Sequence, residues 1–140
     1  MASLFTRIIE GELPGEFVWR DPECVAFLSI HPVHVGHTLV VPRLELSHWL
    51  DLEPEAAARL TRVAHAIGRA QMQIWAPVRV GLMIAGFEIP HVHLHVLPME
   101  SMRDLDLARA AASVAPEELA ETARRLREEL RAQGHAEASG

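Results

Sequence analysis

Three histidines at alternate positions, His91, His93 and His95, give the strongest chemical signal in the sequence. In a β-strand their side chains would project from one face, with roughly 6.6–6.8 Å between successive Cα atoms. The β-branched residues Val92 and Val96 favour a strand and would point toward the core. A surface row of titratable rings gains nothing from packing, because protonated imidazoles repel each other. The pattern therefore indicates a functional site.

Two kinds of chemistry fit this row of histidines. A metal site would use two or three imidazoles from one strand, with Glu100 or His37 as a further ligand. A nucleophilic site would use a neutral imidazole, whose ordinary pKa of about 6.5 leaves it largely unprotonated at neutral pH, to attack phosphorus. Neighbouring imidazoles would then donate hydrogen bonds to the phosphoryl oxygens. Since Pro98 interrupts the strand before Glu100, the nucleophilic interpretation is favoured.

The composition excludes several classes of protein. The chain has 140 residues, 49% of them hydrophobic, which predicts a single soluble domain with an adequate core. Its 13 basic residues are all arginine, so neither a Schiff-base lysine nor a P-loop lysine is available. The single cysteine, Cys24, cannot form an intrachain disulfide or a cysteine-rich zinc site.

Charge and hydropathy narrow the partners and the location. The formal net charge of −6 argues against binding to nucleic acid or to anionic membranes. No apolar run reaches the ~20 residues of a membrane-spanning helix. The start, MASLFTRIIEGELPGE, lacks the long apolar region of a secretory signal. We therefore expect a cytoplasmic protein.

Five strands are predicted from apolar runs bounded by turn residues. They cover residues 17–20, 25–28, 37–41, 78–85 and 91–97. The last two are nearly continuous apolar runs, which is typical of buried strands, and they end at Gly86 and Pro98.

Helices are predicted at three places. The first is short, near residues 3–9, and the clearest runs from about Pro54 to Trp75. One face of the long helix carries Leu60, Val63, Ile67, Gln71 and Ile74. Pro116 opens a C-terminal helix that Gly134 would cap, and residues 135–140 are expected to fray. Hairpin strands followed by a helix and two more strands predict an α+β fold with an antiparallel sheet.

Three blocks of the sequence resemble the histidine triad (HIT) family of nucleotide hydrolases and transferases. They are FTRIIEGELP at 5–14, GHTLVVP at 36–42 and HVHLHVLP at 91–98. The resemblance implies a HIT-like fold: an antiparallel sheet of about five strands, one long helix and an additional C-terminal helix. It also implies homodimers joined through a continuous sheet. The HIT domain would span 1–105, with a C-terminal helical extension over 106–140 packed on or beside it.

The resemblance also implies roles for four histidines. His93 matches the nucleophile that attacks the α-phosphorus of a nucleotide ester, anhydride or phosphoramidate, and water then resolves the nucleotidyl-histidine. His95 matches the residue that hydrogen-bonds the α-phosphate, His91 one that orients the site, and His37 the fourth histidine beside it. The family needs no metal or other cofactor. The expected partners are a small-molecule nucleotide and a second copy of the chain.

The resemblance is less specific about the residues that would contact the nucleoside than about the histidines. Phe5, Ile8, Phe27 and Ile30 fall where the family lines an apolar base pocket, although ordinary core packing explains each of them equally well. Ser29 stands where relatives usually have an Asp or Asn that holds the ribose hydroxyls, and a serine cannot clamp both of them.

The sequence differs from the usual family pattern at two further places, both just before the three histidines. The usual Asn-x-Gly to Gly-Gln-Ser/Thr loop is almost absent between Ala85 and His91, and Glu88 stands where relatives have Ser or Thr. A carboxylate there would repel a phosphate, or pair with a histidine and raise the pKa of that imidazole. The alternative to an enzyme is therefore a HIT-fold module that binds a nucleotide or a protein with little or no turnover.

Overall fold

The computed structural model describes residues 2–140, and these residues form one five-stranded antiparallel sheet with three helices. In chain order the elements are α1 (Leu4–Ile9), β1 (Phe17–Arg20), β2 (Cys24–Leu28), β3 (Thr38–Pro42), α2 (Pro54–Trp75), β4 (Arg79–Met83), β5 (Leu94–Met99) and α3 (Pro116–Ala132). Short 3₁₀ turns lie at Trp49–Asp51, Met102–Leu105 and Leu107–Arg109. The strand order is β1-β2-β3-β5-β4, with every neighbouring pair antiparallel. The predicted α+β fold with its five strands, one long helix and C-terminal helix is confirmed.

The strand that carries the triad begins later than predicted. β5 starts at Leu94, so His91 and His93 precede it and only His95 lies within it. The reason is a backbone contact outside the sheet: the N–H of Val92 donates to the carbonyl of Leu46, in the segment between β3 and α2. The chain therefore joins the β3 ladder only at the Val40–Leu94 pair.

Pro98 does not end the strand either, because β5 runs on to Met99. The pairing with β3 stops at Thr38–Val96, so Pro98 has only β4 beside it, opposite Val80. A proline is tolerated where one side of the strand needs no ladder hydrogen bond. β4 is also shorter than the predicted strand over 78–85, and the prediction that this strand is buried was wrong, because it lies at the edge of the sheet and its residues are half-buried or exposed. The expectation that almost no loop precedes the triad was wrong too, since residues 84–93 connect β4 to β5.

The long helix α2 covers one face of the sheet and has the predicted bounds. Its inward face is buried, and within it Gln71 donates from Nε2 to the carbonyls of Gly36 (2.8 Å) and Val96 (3.0 Å). This side chain therefore ties the loop before β3 to β5. No helix among residues 2–140 is long and apolar enough to cross a membrane.

The opposite face of the sheet packs against α1. Its apolar cluster consists of Phe5, Phe17, Val25, Phe27, Leu39 and Val41. Leu39 is paired with His95 in the sheet, and side chains alternate between faces, so His37 and His95 lie on this same face. The histidines are thus separated from α2 by the sheet.

The C-terminal segment packs beside β1 and α2. The α3 side chains Ala123, Leu126 and Leu130 are fully buried. The prediction that residues 135–140 fray was wrong: after Gly134 (φ +94°) the chain turns back, and the Glu137 carbonyl accepts the N–H of Arg20 at 3.0 Å. Because the outer edge of β1 has unpaired backbone groups, these residues gain hydrogen bonds there. The division at residues 105 and 106 stays a prediction.

Candidate active site

The four histidines singled out in the sequence are buried together. His37, His91, His93 and His95 expose at most 5% of their surface. The His93 and His95 rings are 4.9 Å apart between centroids, and His93 meets the ring of Phe5 edge-on at 4.9 Å. His37 joins them because Thr38 pairs with Val96 across the β3–β5 ladder, which sets residues 37 and 95 close together.

His93 is held in the tautomer of a nucleophile. Its Nδ1 lies 2.7 Å from the backbone carbonyl of His91. Because a carbonyl can only accept, Nδ1 carries the hydrogen and Nε2 of the neutral ring keeps its lone pair. Nε2 faces the carboxylate of Glu88, 3.9 Å away. The ring is therefore oriented to attack an electrophile at Nε2.

His95 has the opposite tautomer, which is set by a relay of hydrogen bonds. The N–H of Val33 donates to Nδ1 of His37 at 3.2 Å, so the His37 hydrogen resides on Nε2. That nitrogen donates to Nδ1 of His95 at 2.9 Å, so the His95 hydrogen resides on Nε2. This Nε2 is buried and has no hydrogen-bond partner among residues 2–140. It is therefore a donor beside His93 that is available to an anionic or carbonyl oxygen.

Burial keeps the relay neutral. Desolvation lowers the pKa of His37 to about 3 and that of His95 to about 4. Neutral rings have one hydrogen each, so the direction of donation from Val33 through His37 to His95 cannot reverse without losing the Val33 hydrogen bond.

His91 orients the backbone that holds His93. Its Nε2 donates to the carbonyl of Pro42 at 2.7 Å, and its Nδ1 accepts from the Ser3 hydroxyl at 2.7 Å. Ser3 also accepts the N–H of Thr6 and so caps α1. Burial lowers the pKa of His91. Sequence reasoning missed Ser3 as a site residue: a serine before a helix indicates a cap, but not a partner 88 residues away.

Glu88 lies beside the two histidines. Its Oε1 is 3.6 Å from Nε2 of His95 and 3.9 Å from Nε2 of His93, while 42% of its side chain is exposed. Glu88 acts to raise the pKa of His95, as expected of this pairing. Burial and the neighbouring His93 lower it by more, so the pKa of His95 falls to about 4.

A metal could contact Glu88, His93 and His95, whose ligand atoms lie within 4.8 Å of one another. Two imidazoles and a carboxylate are a donor set that suits zinc. To coordinate a metal through Nε2, however, His95 must move its hydrogen to Nδ1. His37 must then also carry its hydrogen on Nδ1, where it meets the N–H of Val33 and the hydrogen bond is lost. Glu100, the other ligand considered, instead contacts His34 at 3.5 Å. The hydrogen bonds favour a donor role for His95.

The residues expected to contact a nucleoside are divided between two places. Phe5, Ile8 and Phe27 belong to the cluster under α1, with the Phe5 and Phe27 rings 5.5 Å apart. Ile30 is 60% exposed and lies outside this cluster. Ser29 is half-buried at the end of β2, where its hydroxyl accepts the N–H of His31.

A cavity of about 190 Å³ opens beside His93. Its walls are formed by Ser47, His48, Trp49, Ile84, Ala85, Gly86, Phe87, Val92 and His93. Phe87 is 94% exposed at its edge. The sequence carried no signal for this cavity, because its walls come from two separate loops.

Acid is expected to destabilise the fold through the relay histidines. His37 and His95 have lowered pKa values in the folded state, about 3 and about 4, against about 6.5 when unfolded. The unfolded chain therefore binds more protons as pH falls below about 6.5, and stability is lost from there down to about 4 through His95 and down to about 3 through His37. At about pH 5 the loss is about 2 kcal/mol for each histidine. Urea unfolding at about pH 7.5 and about pH 5 measures it. An unchanged midpoint at constant m-value would mean that the folded histidines titrate normally.

Comparison with known proteins agrees with this geometry. The family model described as "HIT domain" matches residues 10–102. The HIT-like protein Rv1262c of Mycobacterium tuberculosis is 33% identical over 135 residues, which cover 93% of this chain and 94% of that protein. Adenylylsulfatase HINT3 of Arabidopsis thaliana is 27% identical over 68% of this chain and 51% of its own length.

A solved structure shares the fold over nearly the whole length. It is a zinc-bound histidine triad family protein from Mycobacterium smegmatis, which superimposes with a TM-score of 0.78 at 27% identity. The alignment covers 95% of this chain and 96% of that one. By sequence match and by structure, the chain belongs to the histidine triad family.

Proposed function

We propose that the protein is a metal-independent nucleotide hydrolase or nucleotidyl transferase that works through a nucleotidyl intermediate on His93. The observation that carries this proposal is the pair of opposite tautomers, with a lone pair on His93 Nε2 beside an N–H on His95 Nε2. In the first step the Nε2–phosphorus bond forms while the bond from the α-phosphorus to its leaving group breaks. In the second step water or another acceptor attacks phosphorus and the Nε2–phosphorus bond breaks.

The other histidines support these two roles. An N–H from His95 to a phosphoryl oxygen stabilises charge that develops in the transition state, and a buried donor is effective because it needs no reorganisation. His37 keeps that hydrogen on the correct nitrogen, and His91 keeps the carbonyl that orients His93 in place. The name of the Arabidopsis relative, an adenylylsulfatase, agrees with a nucleotidyl substrate.

Nucleotide recognition is proposed to use the two groups of residues near the histidines. Phe5, Ile8 and Phe27 supply an apolar wall that begins at the His93 ring, and Ile30 would add to it from the loop after β2. Ser29 would contact the ribose, and Glu88 would face the phosphate.

A homodimer with a continuous sheet is also proposed, and β4 supports it. Within residues 2–140 this strand pairs only with β5, and its other edge is open. Leu82 on it is 48% exposed, beside a groove of about 340 Å³ between α2 and β4. A second copy that paired strand to strand would satisfy the free backbone groups of this edge.

Intact-protein mass spectrometry tests the reaction. The protein is mixed briefly with adenosine or guanosine phosphoramidate and quenched without acid, because a phosphorus–histidine bond is acid-labile. We expect an added nucleotidyl mass or released monophosphate. Bound nucleotide with neither adduct nor turnover would favour the binding module instead.

Replacing Glu88 by serine is expected to tighten binding of a nucleoside monophosphate by about tenfold. The carboxylate lies 3.6–3.9 Å from the nitrogens that would meet the phosphate, so it repels a bound anion. Titration calorimetry measures the affinity, and Glu100→Gln, a change at an exposed glutamate beside His34, serves as the control. Equal affinities for the wild type and Glu88→Ser would show that Glu88 does not face the phosphate.

Ribose and deoxyribose nucleotides are expected to differ in affinity by no more than about tenfold, because one neutral hydrogen bond from Ser29 contributes only about 0.5–1.5 kcal/mol. Ser29→Asp should widen the difference, since a carboxylate accepts from both hydroxyls. Calorimetry with matched ribose and deoxyribose monophosphates measures both proteins. A strong ribose preference in the wild type would mean that groups other than Ser29 bind the ribose hydroxyls.

A further inference from the structure

Hydrolysis of a nucleotidyl-histidine releases a proton from the attacking water, and a side chain that accepts this proton accelerates the step. The histidines of the site are already committed: His37 and His91 use both ring nitrogens in hydrogen bonds, and His93 carries the phosphorus. His95 offers only an N–H toward the site. The sequence contains no lysine or tyrosine, and burial raises the pKa of the Cys24 thiol. A carboxylate is the remaining class of base.

Glu88 has the position for this task. Among residues 2–140, it is the only Asp or Glu with an oxygen within 4.0 Å of a ring nitrogen of these four histidines. Its side chain is 42% exposed, so the same carboxylate faces both the reacting nitrogen and solvent. A carboxylate accepts a proton near neutral pH, whereas a neutral hydroxyl or amide side chain at the same position would not.

The location of Glu88 also fits the direction from which water attacks. Its Oε1 now lies 3.9 Å from His93 Nε2, within the space that a nucleotidyl group on that nitrogen would fill. Glu88 belongs to the loop between β4 and β5, and its exposed side chain can move toward solvent. Water must approach phosphorus in line with the bond to His93, on the side away from Nε2, and a role for Glu88 requires the displaced carboxylate to reach that side.

We propose that Glu88 is the general base of the second step, which deepens and rests on the function proposed above. As the water oxygen bonds to phosphorus, Glu88 takes a proton from that water. The Nε2–phosphorus bond breaks and its electron pair returns to His93. The exposed carboxyl then releases the proton to solvent. This assigns the chain to hydrolysis, with water as the acceptor, rather than to transfer.

The test follows the adduct in Glu88→Gln, which keeps the shape of the side chain and removes the base. After rapid mixing with adenosine phosphoramidate, intact-protein mass spectrometry at successive times should show the nucleotidyl mass accumulating in Glu88→Gln and only transiently in the wild type. We expect adduct hydrolysis to slow by about 10²-fold or more. Formate added to Glu88→Ala should restore part of the rate, which a purely structural role would not allow. Glu100→Gln, an amide change at another histidine-contacting carboxylate, should behave as the wild type.

The outcomes separate this inference from the proposed function. An adduct that forms on the wild type and decays equally fast on Glu88→Gln would overturn the role of Glu88 and leave the nucleophile intact. A folded Glu88→Gln that forms no adduct would also overturn it, because Glu88 would then act in the first step. If neither protein forms an adduct and His93→Ala is as active as the wild type, the proposed function itself fails.

Discussion

Replacing His93 by alanine is expected to abolish the nucleotidyl adduct and to lower kcat by at least about 10⁴-fold, because the other three histidines present no free lone pair to phosphorus. His95 presents a hydrogen instead of a lone pair, and the ring nitrogens of His37 and His91 are occupied by hydrogen bonds. Steady-state release of monophosphate and the mass of the quenched protein measure the two effects.

Two further variants make this result specific. His93→Asn keeps a side-chain N–H for the carbonyl of His91 but has no nucleophilic nitrogen, so it should be equally inactive. His34→Ala removes a histidine whose contacts are the exposed Glu100 and the carbonyl of Val35, and it should keep wild-type turnover. Substantial activity in both His93 variants would show that the reaction does not pass through this residue.

Replacing Gly36 by alanine is expected to lower the free energy of unfolding by about 2–5 kcal/mol. The residue has a φ of +92°, which costs a side chain about 1–2 kcal/mol. An added Cβ would also collide with the ring of Trp75, and such overpacking costs about 1–3 kcal/mol. The Gly36 carbonyl accepts from Gln71 and Thr38, so a shift here also disturbs the neighbouring His37. Urea unfolding monitored by circular dichroism measures the loss.

Gly134→Ala is the matched control for this prediction. It has a similar φ of +94°, but an added Cβ would meet no atom within 4 Å. We expect only the conformational cost of about 1–2 kcal/mol. An equal loss of unfolding free energy in the two variants would mean that the Trp75 ring moves aside at little cost. The positive φ alone would then require glycine at position 36.

The sequence alone determined those features that depend on local physical chemistry. Pro54 at the first helical position and an apolar face of helical period specified α2 to the residue. The alternating histidines predicted the candidate site, and the motifs in their order identified the family. Each helix, strand or motif signal lies within a short stretch of sequence, and none of them depends on which distant residues come into contact.

The tertiary structure decided which nitrogen of each histidine can react. The hydrogen on His93 depends on the carbonyl of His91, and the hydrogen on His95 depends on Val33, 62 residues earlier, acting through His37. The start of β5 and the docking of the last residues on β1 likewise depend on partners far along the chain. Imidazole has two nearly equivalent nitrogens, so its tautomer is chosen by whichever donor or acceptor packing places beside it. That choice, and with it the distinction between nucleophile and hydrogen-bond donor, arises only when the chain is folded.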